Sequence, residues 1–422
     1  MVLAVFVATV LIAQLCGTPI PSCLIGAAVG TIVYEVITGF KSPRFISSCG
    51  ATVSAVQGAL ILGDSNNNYV AVAIGGVIIA IVYILFALLI KFGGRKLFDR
   101  IFPPIVVGPV TMVIGLNLAS FIPSYLGFTD PNTGAVLTGK AFEIAVQTQM
   151  IPRLVALFTL LITALVSYYG KGFLKTLSFL VGLLSGFILA VVLEFSHAYD
   201  FGIASHYTNI KWFNPDDFAF MKWANSSFSW KQLPDILLLF IPVSICAALE
   251  HYSDHKTLSN ILGTDLTINP GLDRTLIGDG VASAVGAAVG GLPNTSYGES
   301  IATIGFSKVG SVWITLVAAL IVGVLGFLAP VTAFISSIPS AVFAGCAFIL
   351  YGYIAESGLK TLFNSHVDLA DSRNLIIISV ILTSGVSGVA LFSASFKGTS
   401  LAMVLGVLLN LILKTSKNKV SQ

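Results

Sequence analysis

Charge is what this chain has least of. Only 10% of its 422 residues are Asp, Glu, Lys or Arg, against about 25% in an ordinary soluble domain. Hydrophobic residues make up 56%, and the mean hydropathy is +0.94. A soluble chain of this length folds as two or three domains joined by polar linkers, and no such linkers occur. The net charge of +3 is small and dispersed, which excludes a nucleic-acid surface. Cysteine is scarce too. Cys16, Cys23, Cys49, Cys246 and Cys346 fall mostly inside apolar runs with no metal-ligand spacing, so they read as small apolar fillers, with no disulfide framework and no metal site. A Gly-rich phosphate loop, a nucleophile elbow and a Ser/His/Asp arrangement are all missing. An enzyme reading therefore has no support, and no cofactor is expected. Met1 runs straight into Val2-Leu3-Ala4-Val5-Phe6 with no charged lead and no clean cleavage site, which argues against a signal peptide.

Apolar length is what the chain has in excess. Runs of roughly 17–25 residues, enough to cross ~30 Å of hydrocarbon, recur from end to end. Divided at their breakers they give about fourteen segments, near 2–16, 20–40, 44–62, 69–92, 103–125, 151–169, 175–195, 232–262, 275–292, 293–308, 310–330, 337–356, 373–392 and 396–414. The fold class is thus an all-α membrane protein. The longest polar interval, 196–231, reads as an extracellular loop that separates two halves of seven segments. With both termini cytoplasmic, sixteen of the 22 basic residues fall inside, among them Lys41, Arg44, Lys175, Arg274 and Lys360. The other six, Lys140, Arg153, Lys211, Lys222, Lys231 and Lys397, fall outside, in the sense the positive-inside rule requires.

Seven is odd, so the halves enter the membrane in opposite senses, the inverted repeat of many secondary transporters. Gly-Ala-Ala-Val-Gly occurs at 26–30 and again at 286–290, in the second segment of each half, and reads as close helix packing through small residues. The third segment of each half is small and polar where its neighbours are apolar: Ser47-Ser48-Cys49-Gly50-Ala51-Thr52 and Pro293-Asn294-Thr295-Ser296-Tyr297-Gly298-Glu299. Matched interruptions of this kind point to a binding site near the bilayer midplane.

Acids within spans are costly and are functional candidates by default. Glu250 ends an apolar run and is followed by His251, Asp254 and His255, which share a helix face if the helix continues. The competing reading makes this cluster a solvated helix end. Glu299 follows Gly298 and opens a short helical run, where the helix dipole and free N–H groups orient a carboxylate. A buried structural carboxylate is the alternative there. Tyr297 offers a flat neighbour. Asp279 is either support for Glu299 or capped by backbone. Glu35 and Glu194 read as interfacial, and Asn117 and Asn374 as polar links between helices.

These residues resemble the nucleobase–ascorbate transporter family, with its uracil-carrying branch the best match, over residues 1–414. The resemblance is tightest in Ala248-Leu249-Glu250-His251, Asn269-Pro270-Gly271-Leu272, Leu292 to Glu299, Leu350-Tyr351-Gly352 and Arg373-Asn374-Leu375-Ile376. It implies seven-plus-seven inverted repeats, with a short strand in the third and in the tenth segment pairing between the halves. It also implies a core domain from 1–92 and 232–330 and a gate domain from 101–195 and 337–414. Glu250 and Glu299 would bind the base, Gly298 and Gly50 would offer backbone groups, and Ala8, Tyr297 and Tyr351 would pack around it. Proton coupling would involve Glu250, His251, Asp254 and His255, Asp254 standing where some relatives have a coupling histidine. The implied function is secondary active import of uracil or a close pyrimidine by proton symport through the cell membrane, often as a homodimer.

Three departures bear on this. Gly50 stands where uracil carriers place a Phe, which leaves room for xanthine or another purine base. After Glu299 the chain reads Ser300-Ile301-Ala302 in place of the family's Asn-any-Gly signature. The family's polar lead-in with its Gln-His pair is missing before the first segment. A second class is an anion transporter of the sulfate-permease type, which shares the architecture, and a third is a membrane scaffold that transports nothing.

Overall fold

The structure is a computed structural model that describes residues 1–48, 50–62, 68–93, 103–130, 135–207, 218, 221, 228–296, 298–391 and 398–413, with the backbone alone at Glu299. Helices dominate. In chain order the main ones are α1 (Val2–Cys16), α2 (Ile20–Thr38), α3 (Val53–Leu60), α4 (Tyr69–Leu88), α5 (Pro104–Ala119), α6 (Met150–Tyr169) and α7 (Ser178–Phe195). They continue with α8 (Leu233–Leu262), α9 (Leu272–Ala288), α10 (Gly298–Ser307), α11 (Val312–Phe327), α12 (Ser340–Asn364), α13 (Ser372–Val386) and α14 (Thr399–Ile412). Two three-residue strands, β1 (Ile46–Ser48) and β2 (Asn294–Ser296), form one antiparallel sheet. Among the described residues seven helices are long and apolar enough to cross a membrane, or eight if the bent pair Val312–Phe327 and Ala329–Ser336 is one span.

Local chemistry sets the ends of these helices. α1 and α2 stop at Gly17 and Gly39, each in the left-handed conformation that closes a helix and that glycine adopts without a Cβ clash. α8 has Pro in its first turn and runs unbroken for 30 residues, roughly 45 Å, to a left-handed Gly263. It therefore carries Glu250, His251, Asp254 and His255 on one continuous helix.

Three boundaries differ from expectation. The 310–330 segment is not straight, because the chain turns by 78° between Phe327 and Ala329, where Pro330 starts a new helix. α12 runs on to Asn364 through polar residues, stabilised by the Glu356–Lys360 pair at 2.7 Å. A short helix, Gly139–Thr148, lies in an interval read as loop. Most of 208–227 lies outside the described residues. Glu194, near the end of α7, is no free interfacial acid, since it accepts the N–H groups of Phe201, Ile203 and Ala204.

α2 and α9 cross at the centre, with α4 on α9 and α11 on α2. A second group packs α5 on α12 and α13, α6 on α7 and α12, and α13 on α14. Along its span α2 is 72% buried against 28% for α6 and α7, which separates central from peripheral helices. The outer faces expose apolar side chains, among them Leu161, Ile188, Val317, Val324 and Leu411, in an amount that water would not tolerate and lipid does.

The two Gly-Ala-Ala-Val-Gly strings meet each other. A Cβ on Gly26 would lie 3.0 Å from the Gly286 carbonyl oxygen and 3.2 Å from Gly291 Cα, both backbone atoms that cannot move aside. Small residues at this crossing let α2 and α9 approach closely, as the repeat implied. Gly26→Val should therefore cost about 1–3 kcal/mol by overpacking. It is expected to lower the melting temperature of the detergent-purified protein, whereas Gly352→Ala, where an added methyl meets nothing within 4 Å, should leave it unchanged.

Candidate substrate-binding site

Each strand is too short to stand alone, so its polar groups are satisfied across the halves. β1 and β2 pair Ile46 with Ser296, Ser47 with Thr295 and Ser48 with Asn294. Thr31 on α2 brackets Ile46, its hydroxyl donating to the Ile46 carbonyl at 2.9 Å and accepting the Ile46 N–H at 3.0 Å. Thr9 on α1 joins its hydroxyl to that of Ser47 at 2.6 Å. On the other side Asn294 donates to the Gly26 carbonyl at 2.8 Å, and Ser283 on α9 donates to the Asn294 carbonyl.

Asp279 on α9 joins this sheet to α8. Its Oδ2 accepts the Ser296 N–H at 3.2 Å and the Thr295 hydroxyl at 3.3 Å, and it meets His251 Nδ1 at 2.6 Å. His251 Nε2 lies 3.2 Å from the Thr275 hydroxyl, and Tyr83 bonds to Thr295 at 3.2 Å. Asp279 thus acts through His251 and β2.

One turn further along α8 lies Arg44, which is fully buried just ahead of β1. Its Nη2 donates to Asp254 Oδ2 at 2.6 Å and its Nη1 to His255 Nδ1 at 2.6 Å. The Arg44 N–H donates to Glu35 Oε1 at 3.2 Å. His255 Nε2 faces the hydroxyls of Tyr34 and Ser42 at 3.1 and 3.3 Å. Three sequence readings are corrected here. Arg44 is not a cytoplasmic flanking charge, Glu35 is not a snorkelling interfacial acid, and His255 is not at a solvated helix end; all three are fully buried.

Beside this sheet lies a cavity of about 940 Å³. Ser48, Gly50, Glu250, Asp254, Ser296 and Gly298 form one wall, and Ile114, Tyr351 and Ile354 stand on another. Its mouth reaches Lys175, Glu356 and Lys360. The buried hydroxyls of Ser48 and Tyr351 have no hydrogen-bond partner among the described residues. A Cβ on Gly298 would meet nothing within 4 Å, whereas one on Gly50 would lie 3.2 Å from Ile354 Cδ1. The space left by Gly50 is thus partly taken by Ile354.

Of the expected site residues, Glu250, Asp254, Gly50, Gly298 and Tyr351 share this cavity. Ala8 is buried in α1, next to the Thr9 that binds Ser47. His251 and His255 stand behind the wall in hydrogen-bonded positions. Tyr297 and the side chain of Glu299 lie outside the described residues. Asn117 does link helices, donating to the Gly385 carbonyl at 3.1 Å, but Asn374 donates to the Asp368 carbonyl six residues back. Sequence reasoning missed Arg44, Ser48 and Ser296 as parts of the site. Arg44 carried one usable signal, its place two residues before the polar run that interrupts the third segment.

Comparison with known proteins gives the family and the fold. The family model described as Permease family, Xan_ur_permease, matches residues 1–394. The chain is 34% identical to the uracil permease of Bacillus subtilis over 99% of its length and 91% of the relative's. It is 35% identical to the uracil permease of Bacillus caldolyticus, covering 97% and 89%. It is 30% identical to the putative pyrimidine permease RutG of Escherichia coli, covering 97% and 87%. Among solved structures, the transmembrane domain of the cyanobacterial bicarbonate transporter BicA matches with a TM-score of 0.61 at 18% identity, over 97% of this chain and 94% of that one. SLC26A9 matches with a TM-score of 0.65 at 14% identity, over 97% and 63%. At such identities the likeness is one of fold. With a family model and relatives that span nearly its whole length, the chain is a multi-pass integral membrane protein and belongs to the Xan_ur_permease family, the nucleobase–ascorbate transporters.

Proposed function

We propose that this chain imports uracil or a close pyrimidine base by proton symport across the cytoplasmic membrane, with both termini inside. The observation that carries the reading is the cavity wall where Glu250 from α8 meets Gly298 and Gly50, one from each interrupted segment. A uracil edge presents ring N–H donors beside carbonyl acceptors, so carboxylates flanked by backbone N–H groups match it in kind. Glu299, at the start of α10, is the second acid in this reading. The unpartnered hydroxyls of Ser48 and Tyr351 supply further polar contacts, and Tyr351 a flat neighbour. The names of the relatives from Bacillus subtilis and Bacillus caldolyticus support uracil in particular.

Two alternatives lose ground. Ile354 encroaches on the space beside Gly50, which disfavours a larger purine. A wall carrying Glu250 and Asp254 repels an anion, and the likeness to anion transporters is one of fold alone.

The inverted repeat is also part of the reading. Exchanging the halves maps α4 on α9 onto α11 on α2, α5 on α13 onto α12 on α6, and α6 on α7 onto α13 on α14, all of them packed pairs. The Gly26–Gly286 contact and the β1–β2 pair map onto themselves. On this reading the chain has fourteen spans, with α1–α4 and α8–α11 as the core and the rest as the gate; the exchange of packed pairs supports it. Lys175 and Lys360 at the cavity mouth belong to the cytoplasmic side by charge pattern, so the cavity opens inward. The homodimer rests on family membership alone.

Coupling is linkage: proton and base favour the same state of the site. Labelled uracil uptake into proteoliposomes should rise as the outside becomes more acidic and stop when a protonophore collapses the gradient; uptake unaffected by the protonophore would remove the symport. Glu250→Gln and Glu299→Gln should each weaken uracil binding about 10- to 100-fold, the worth of a hydrogen bond to a charged group, and full binding by Glu299→Gln would overturn the site. Unlabelled uracil should compete with labelled uracil while xanthine and urate in hundredfold excess do not.

A further inference from the structure

Where α2 ends, three consecutive residues each reach a different part of the second half. The Arg274 guanidinium on α9 lies over Gly39, where a Cβ would be 3.6 Å from its Nη2. Phe40 stacks on Trp313 of α11, with ring centroids 6.4 Å apart and planes at 13°. Lys41 Nζ donates to Asn269 Oδ1 at 3.2 Å. We propose that this rim binds an anionic phospholipid. Lys41 and Arg274 take its phosphate, and the Phe40–Trp313 pair with the outer face of α11 takes its glycerol and an acyl chain.

The charges point to an anion. Among the described residues neither cation forms an ion pair with an acid. Arg274 uses its Nε on the Ile37 carbonyl at 2.6 Å, and Lys41 uses one of three donors on a neutral amide, so both keep donors to offer. Asp273, next to Arg274 in the chain, is turned onto Gly271, where a Cβ would lie 2.7 Å from its Oδ1. By the charge pattern this end of α2 is cytoplasmic, and that leaflet is the anionic one.

The backbone points to the bilayer interface. Phe40 has φ 56°, a left-handed conformation that strains a side chain, directly after Gly39 at φ 68°. That strain gains no burial, since Phe40 remains 49% exposed and Trp313 71% exposed. Water disfavours such a stack, whereas the headgroup level of a bilayer favours aromatic rings.

Continuity then selects a lipid over a soluble anion. Val317, Leu320 and Val324 follow Trp313 at steps of four, three and four along α11, and all are exposed. They make one apolar stripe about 17 Å long below the aromatic pair. α2, packed on α11, widens it with exposed Val36 one turn before Phe40. A free phosphate would meet only the cations, while a phospholipid meets cations and stripe together.

The test uses the full-length protein in nanodiscs, with bromine on the acyl chains of either phosphatidylglycerol or phosphatidylcholine. Bromine quenches a tryptophan that it touches, and the share belonging to Trp313 is the difference between parent and Trp313→Phe. Phosphatidylglycerol is expected to be preferred at Trp313 by about fivefold for each cation. The preference should fall stepwise from parent to Lys41→Gln and vanish in the Lys41→Gln, Arg274→Gln double variant. Arg274 also holds the Ile37 carbonyl, so the exposed Lys41→Gln decides alone if the double variant does not fold. Equal quenching by both lipids in the parent, or a preference unchanged in Lys41→Gln, overturns the site. A loss as large in Lys231→Gln, just before the opposite end of α8, reduces the effect to bulk charge and also overturns it. Inorganic phosphate that raises the melting temperature of the detergent-purified parent as much as phosphatidylglycerol does, and not that of the variants, overturns the lipid as occupant. Both leaflets are present in the disc, so the outcome depends neither on which face is cytoplasmic nor on what is transported.

Discussion

The structure depends on what extended backbone requires where there is no water. A helix satisfies its own N–H and C=O groups, but a strand must find partners, and in hydrocarbon each unmet group costs several kcal/mol. β1 and β2 answer this by pairing with each other, one strand from each half. Further strand backbone groups are met by Thr31 from α2 and by Ser283 and Asp279 from α9, and the Asn294 side chain ties β2 to the Gly26 carbonyl of α2. Close approach of α2 and α9 at Gly26 and Gly286 is what brings those side chains within reach. The small-residue crossing, the strand pair and the site are therefore one construction.

Breaking two helices in the middle of the protein also creates the chemistry. α3 and α10 start within the interior, and their first residues, with Gly50 just before α3 and Gly298 at the head of α10, turn toward one cavity. The long α8 passes beside them with two acids and two histidines on successive turns, and these side chains do different tasks. Glu250 reaches the cavity, His251 turns back to Asp279, and Asp254 with His255 receives Arg44. Each buried acid has a donor: Glu35 accepts the Arg44 backbone N–H, Asp254 the Arg44 guanidinium, and Asp279 meets His251 and the β2 backbone.

Fold and family separate cleanly here. A bicarbonate transporter and SLC26A9 share the fold at 18% and 14% identity, so the paired broken segments serve more than one cargo. In this chain the cavity wall carries Glu250 and Asp254 beside Gly50 and Gly298. The same scaffold with a different wall would select a different ligand.

The sequence by itself determined the membrane class, the two interrupted segments and the close packing of helices at the Gly-Ala-Ala-Val-Gly strings, while the continuity of α8 through His255 and the contact of the two strings with each other came from the structure. Hydrophobic length and small-residue spacing are local properties that survive without coordinates. Glu250, Gly50, Gly298 and Tyr351 were legible as a set through their motifs. The tertiary structure alone decided where the charges went. Arg44 and Glu35 look like flanking residues in the sequence because they border apolar runs, and the same is true of many charges that do reach water. Only the approach of α8 to the lead into β1, from more than 200 positions away in the chain, makes Arg44 a buried partner of Asp254 and His255. The space at Gly50 was likewise undecidable from the residue alone, since a missing side chain leaves room only if no neighbour fills it, and Ile354 on α12 does.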